Sequence, residues 1–110
     1  MKKLFLFICM ACFIHSQSTA QNTSYDSAAV PIGGINNVGI GFNVLKLNTG
    51  QGNVGVGTGA MQNLGTASDN TAIGFNAMNK SVGVFFNVAV GKEALLNSQS
   101  THNTALGWER

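Results

Sequence analysis

The hydrophobic residues of this chain fall in short clusters that return at a nearly fixed interval. Five segments align: Asn37-Val-Gly-Ile-Gly, Asn53-Val-Gly-Val-Gly, Asn70-Thr-Ala-Ile-Gly, Asn87-Val-Ala-Val-Gly and Asn103-Thr-Ala-Leu-Gly. Their leading asparagines stand 16, 17, 17 and 16 residues apart. A second cluster keeps the same register in the first four units. Eight residues after the asparagine comes Leu45, Met61, Met78 or Leu95, preceded by Val44, Ala60, Ala77 or Ala94. Polar stretches such as Asn48-Thr-Gly-Gln-Gly and Asn97-Ser-Gln-Ser-Thr close the units.

Val38, Ile40 and their counterparts alternate with small residues, the period-2 pattern of a half-buried strand. The glycine after each aliphatic predicts a turn that tolerates positive φ. No window between glycines carries an amphipathic helix, and a short helical turn at Glu93 to Leu96 is the most the pattern allows. One unit cannot bury its own aliphatics, whereas units stacked in register can, with the asparagines forming amide ladders along the stack. The prediction is an all-β chain folded as a parallel β-solenoid, or β-roll, of 16–17-residue repeats. Its structural positions are Asn37, Gly41, Asn53, Gly57, Asn70, Gly74, Asn87, Gly91, Asn103 and Gly107.

So short a coil leaves little interior. The Leu45, Met61, Met78, Leu95 row is therefore expected to face other chains, which suits a homotrimer. The alternative is a slightly wider monomeric solenoid with that row inside. Residues 21–35 stand outside the pattern as an N-terminal cap or linker, with Val30-Pro-Ile-Gly-Gly read as a leading strand or cap. The repeats occupy residues 36–110 with the last unit incomplete, and the chain reads as a piece of a longer protein.

The first twenty residues carry a secretory signal pattern. Lys2 and Lys3 precede an apolar run from Leu4 to Ile14, too short to span a bilayer, and Ser18-Thr-Ala places cleavage before Gln21. Lipidation at Cys12 is the lesser alternative. Cys9 and Cys12 both lie inside the signal, so the mature segment has no disulfide or cysteine–metal chemistry. The formal charge of +2 includes Lys2 and Lys3; without them four bases face four acids. That balance argues against nucleic acid. The mature segment is glycine-rich and charge-poor, with 14 glycines and 9% charged residues in the chain, unlike a charged disordered tail.

Little in the sequence points to chemistry. Gly55-Val-Gly57-Thr-Gly-Ala60 matches a dinucleotide fingerprint, but its glycines keep repeat register and no helix-length segment follows. His102 is the sole histidine after the signal and takes the unit-boundary place held elsewhere by Asn36, Gly52, Asp69 and Phe86. Asp69 and Glu93 occupy different positions of different units, so no paired-carboxylate site follows. The period does not fit calcium-binding nonapeptides, and the Val38, Val54, Thr71, Val88, Thr104 row is too mixed for an ice-binding threonine array. Catalytic, cofactor and metal residues are therefore expected to be none, and the protein is not read as an enzyme. Asn22-Thr-Ser and Asn79-Lys-Ser match the glycosylation sequon by chance. Phe42, Phe75 and the Phe85-Phe86 pair are candidates for an exposed binding surface, or for packing across coils or between chains.

The repeats carry a resemblance. Asn70-Thr-Ala-Ile-Gly-Phe-Asn-Ala-Met and Asn87-Val-Ala-Val-Gly-Lys-Glu-Ala-Leu resemble the head repeats of trimeric autotransporter adhesins. They are still more similar to the Asn-Thr-Ala-x-Gly-x-x-Ala-Leu repeats of bacterial secreted tail-fibre-like proteins, over about residues 36–110. The resemblance implies a left-handed β-roll wound as a trimer, projecting from a bacterial surface or fibre and contacting host matrix or other cells. The expected function is a secreted or surface-exposed structural and adhesion segment that presents a rigid repetitive face, with itself as partner and no membrane span. The alternatives are a secreted matrix-forming or spacer protein, amyloid-like in its stacking, or the accessory module of a longer enzyme.

Overall fold

The structure, a computed structural model, describes residues 23–25 by their backbone and residues 34–108 in full. The signal segment, both cysteines, the Asn22 sequon position and residues 30–33 of the expected leading strand lie outside the described residues. So do Glu109 and Arg110.

Six three-residue strands form one parallel sheet in chain order. They are β1 (Thr23–Tyr25), β2 (Val38–Ile40), β3 (Val54–Val56), β4 (Thr71–Ile73), β5 (Val88–Val90) and β6 (Thr104–Leu106). Each repeat contributes one strand, and like positions pair: Val38 with Val54, Val54 with Thr71, Thr71 with Val88, Val88 with Thr104. The chain is a β-solenoid of about four turns from β2 to β6, one turn for each 16 or 17 residues. β1 extends it at the N-terminal end, with Thr23 opposite Val38. It falls in the segment read as cap or linker, where Asn22-Thr-Ser-Tyr is a degenerate copy of the repeat motif offset by 15 residues.

The small phase of the alternation faces inward. In every strand from β2 to β6 the central residue is buried: Gly39, Gly55, Ala72, Ala89 and Ala105. The flanking Val, Ile, Thr and Leu side chains point outward. Alternation places one phase inside without saying which. The opposite wall of the coil decides. Val44, Leu45, Ala60, Met61, Ala77, Met78 and Ala94 are fully buried there, and Leu95 packs against them. A Cβ added at Gly55 would stand 2.6 Å from Val44 Cγ1, so only small strand centres leave room.

The Leu45, Met61, Met78 row therefore lies inside the single chain and does not face other chains. Its members follow a buried neighbour directly, and two consecutive inward side chains cannot occur in an extended strand. Positive φ resolves this: Leu45, Met61, Met78 and Leu95 sit at 52°, 51°, 52° and 48°. Left-handed backbone costs a non-glycine residue about 1–2 kcal/mol, whereas full burial of Leu or Met returns about 1.5–3 kcal/mol. Burial wins. Backbone bonds lock the row, with Leu45 N–H donating to Ala60 O at 3.1 Å, Met61 to Ala77 O at 2.9 Å and Met78 to Ala94 O at 3.0 Å. Glu93, expected in a short helical turn, also has a positive φ of 58°, and the segment is an irregular turn. Leu64, Ala67 and Val84 fill the third corner.

Candidate interaction face

The asparagine of each repeat stands one residue before its strand, and Asn37, Asn53, Asn70 and Asn87 are fully buried. Each Oδ1 accepts twice from the next asparagine. Asn53 N–H reaches Asn37 Oδ1 at 2.9 Å and its Nδ2 at 3.2 Å; Asn70 repeats this on Asn53, Asn87 on Asn70 and Asn103 on Asn87. The amide also ties its coil shut. Nδ2 of Asn37, Asn53 and Asn70 donates to the carbonyls of Gly50, Ala67 and Val84, at the far corner of the same turn. Among the described residues no buried side-chain nitrogen or oxygen lacks a partner. Buried amides are costly when unpaired, and each rung from Asn37 to Asn87 uses both the acceptor and the donor of its asparagine.

Gly41, Gly57, Gly74, Gly91 and Gly107 form a second column at the strand ends, with φ between 113° and 139°. The missing Cβ lets successive turns approach. At Gly74 a Cβ would run into the carbonyl of Gly91. The predicted site residues thus divide into a ladder, buried from Asn37 to Asn87, and a turn column at the strand ends.

An outward face lies on the strands between them, its side chains exposed or half-buried. Two outward columns run the length of the sheet. The first is Val38, Val54, Thr71, Val88 and Thr104, and the second is Ile40, Val56, Ile73, Val90 and Leu106. Ile40 and Ile73 are 42% and 41% exposed, and Leu106 71%. Over five strands this face carries no charged side chain. A regular, uncharged sheet face that is apolar apart from Thr71 and Thr104 is what chains in water cover with another layer or partner. The sequence expectation missed this face, because it placed the second apolar cluster outside; that cluster fills the interior instead and leaves the larger strand residues no room there.

The remaining candidates are dispersed. His102 is exposed at a φ of 61°, its Nδ1 3.0 Å from Thr101 Oγ1, and its ring lies 5.0 Å from that of Phe86. Asp69 occupies the same boundary position two turns earlier, also exposed. Lys92 and Glu93 approach to 3.8 Å on the surface, an exposed pair of little energetic weight. Asn79 of the second sequon is buried and donates to Gly59 O at 2.7 Å, so a glycan there would break that bond. Gly55, Gly57 and Gly59 of the dinucleotide-like segment serve as strand centre and turn residues, with no helix after them. Among the described residues no group of three or more His, Cys, Asp or Glu could hold a metal, and no helix is long and apolar enough to cross a membrane.

No protein-family model matches the chain, and comparison with curated proteins and with solved structures finds no match.

Proposed function

We propose that this chain is a secreted or surface-exposed structural and adhesion segment of bacterial character, which presents a rigid repetitive surface to cells or matrix. In this reading it works as a homotrimer, and the strand columns are the surface on which the copies meet. The observation that carries it is the apolar sheet face from Val38 to Leu106, uncharged and in strict register over five strands. A second copy with the same rise repeats every contact at each turn, so weak contacts sum along the stack. The resemblance of the repeats to adhesin heads and tail-fibre-like proteins supports the same reading.

Sedimentation equilibrium of the secreted protein tests it, together with adherence to cells or matrix-coated surfaces. The expected result is a trimer that adheres, and Val56→Glu with Ile73→Glu should release folded monomers. A monomer that adheres to nothing overturns the proposal. Fibres that bind amyloid dyes in place of a discrete oligomer transfer the case to the matrix-forming alternative.

A further inference from the structure

We infer that the solenoid carries an aromatic strip that binds an extended β-1,4-linked polysaccharide, formed by Phe42, Phe75 and Trp108. The inference rests on the surface-contact reading above and names the chemistry it would contact. Each of the three rings is the fifth residue after its ladder asparagine: Asn37, Asn70 and Asn103. Thr58 and Lys92 hold the same place in the two intervening turns.

The column is in register at the backbone. Gly59 N–H donates to Phe42 O at 2.8 Å, Asn76 to Thr58 O at 2.9 Å and Glu93 to Phe75 O at 2.8 Å. Lys92 Nζ stands 5.0 Å from the Trp108 ring centroid, which ties the last ring to the same row. Paired strands lie about 4.8 Å apart, so rings on alternate turns recur at about 9.6 Å. That interval is close to the disaccharide repeat of an extended β-1,4-linked glycan, in which every second sugar presents the same face. The apolar C–H face of a pyranose stacks on an aromatic ring, while Thr58 and Lys92 between the rings can hydrogen-bond its hydroxyls.

The rings are solvent-exposed, with Lys92 Nζ over the Trp108 ring. Phe42, Phe75 and Trp108 are 53%, 49% and 65% exposed. Neither phenylalanine has a ring partner among the described residues, unlike Phe86, which pairs with His102. The strip follows the Ile40, Ile73, Leu106 column by two residues, with the glycine column between them.

Trp108 is the sole tryptophan of the chain, so its fluorescence reports the strip directly. The test titrates the full chain with cellohexaose and chitohexaose and measures retention on cellulose, chitin and, as an α-1,4-linked control, amylose. The inference expects a fluorescence change and retention on at least one β-linked polymer, with none on amylose. Phe42→Ala and Phe75→Ala should each weaken binding about fivefold to tenfold, and Phe86→Ala should leave it unchanged. Absence of binding to both β-linked polymers, equal retention on amylose, or equal weakening by Phe86→Ala overturns it. Adherence to cells that survives without glycan retention sinks this inference alone; loss of adherence as well sinks the surface-contact reading with it.

Discussion

Asn53 Oδ1 accepts two hydrogen bonds from Asn70, the backbone N–H at 3.1 Å and the Nδ2 amide at 3.2 Å. One side-chain oxygen thereby joins two turns of the solenoid at backbone and side chain together, in a site closed to water. Asn70 Nδ2 passes the connection on to Val84 O at 2.8 Å and Ser68 O at 2.9 Å.

Asn70→Ala removes those amide bonds and strands buried carbonyls. The expected loss is about 2–4 kcal/mol of unfolding free energy, read by urea denaturation. Asn70→Asp should be worse than alanine, because an ionised carboxylate would confront the oxygens of Asn53, Ser68 and Val84. An aspartate variant as stable as the parent would remove the ladder from the account of stability.

The glycine column gives a paired test. At Gly74, φ is 139° and an added Cβ meets the Gly91 carbonyl; at Gly107, φ is 113° and nothing stands within 4 Å. Gly74→Ala carries strain plus collision and should cost about 3 kcal/mol or more, Gly107→Ala backbone strain alone at about 1–2 kcal/mol. Equal melting temperatures for the two variants would show that the close approach of turns is not limiting.

The row of positive-φ residues contains only Leu and Met, never Val or Ile. Left-handed backbone is especially hard for β-branched side chains. Met78→Leu should therefore cost less than about 1.5 kcal/mol, and Met78→Ile distinctly more despite its similar volume. Thermal unfolding of the two variants decides it, and the reverse order would contradict the φ of 52°.

Val44 and Gly55 share one space across the coil. Where the inward residue before the row is Val44, the strand centre is Gly55; where it is Ala60, Ala77 or Ala94, the strand centres are alanine. Gly55→Ala alone should overpack the site at a cost of about 1–3 kcal/mol, and Val44→Ala should leave a gap. Together they reproduce the pairing of the later turns, so a double-mutant cycle should show a favourable coupling above about 1 kcal/mol. Additive effects would mean that the two residues do not compete for volume.

The sequence by itself determined the period, the strand in each repeat, the parallel stacking and the turn after each strand. Those follow from local chemistry repeated in register: an amide that can both donate and accept, a glycine that can turn, and alternating side chains. The tertiary structure decided which phase of the alternation faces inward. Val-Gly-Val reads equally well in either orientation, and the choice falls to residues across the coil that no strand-length window contains. Val44, Leu45 and Met61 occupy the interior because positive φ lets adjacent side chains turn the same way, a conformation that residue type does not announce at Leu or Met. The aliphatics of the strands are then displaced to the surface. For the same reason Leu45, Met61 and Met78, expected to face other chains, lie inside, and Val38, Ile40 and their counterparts point outward.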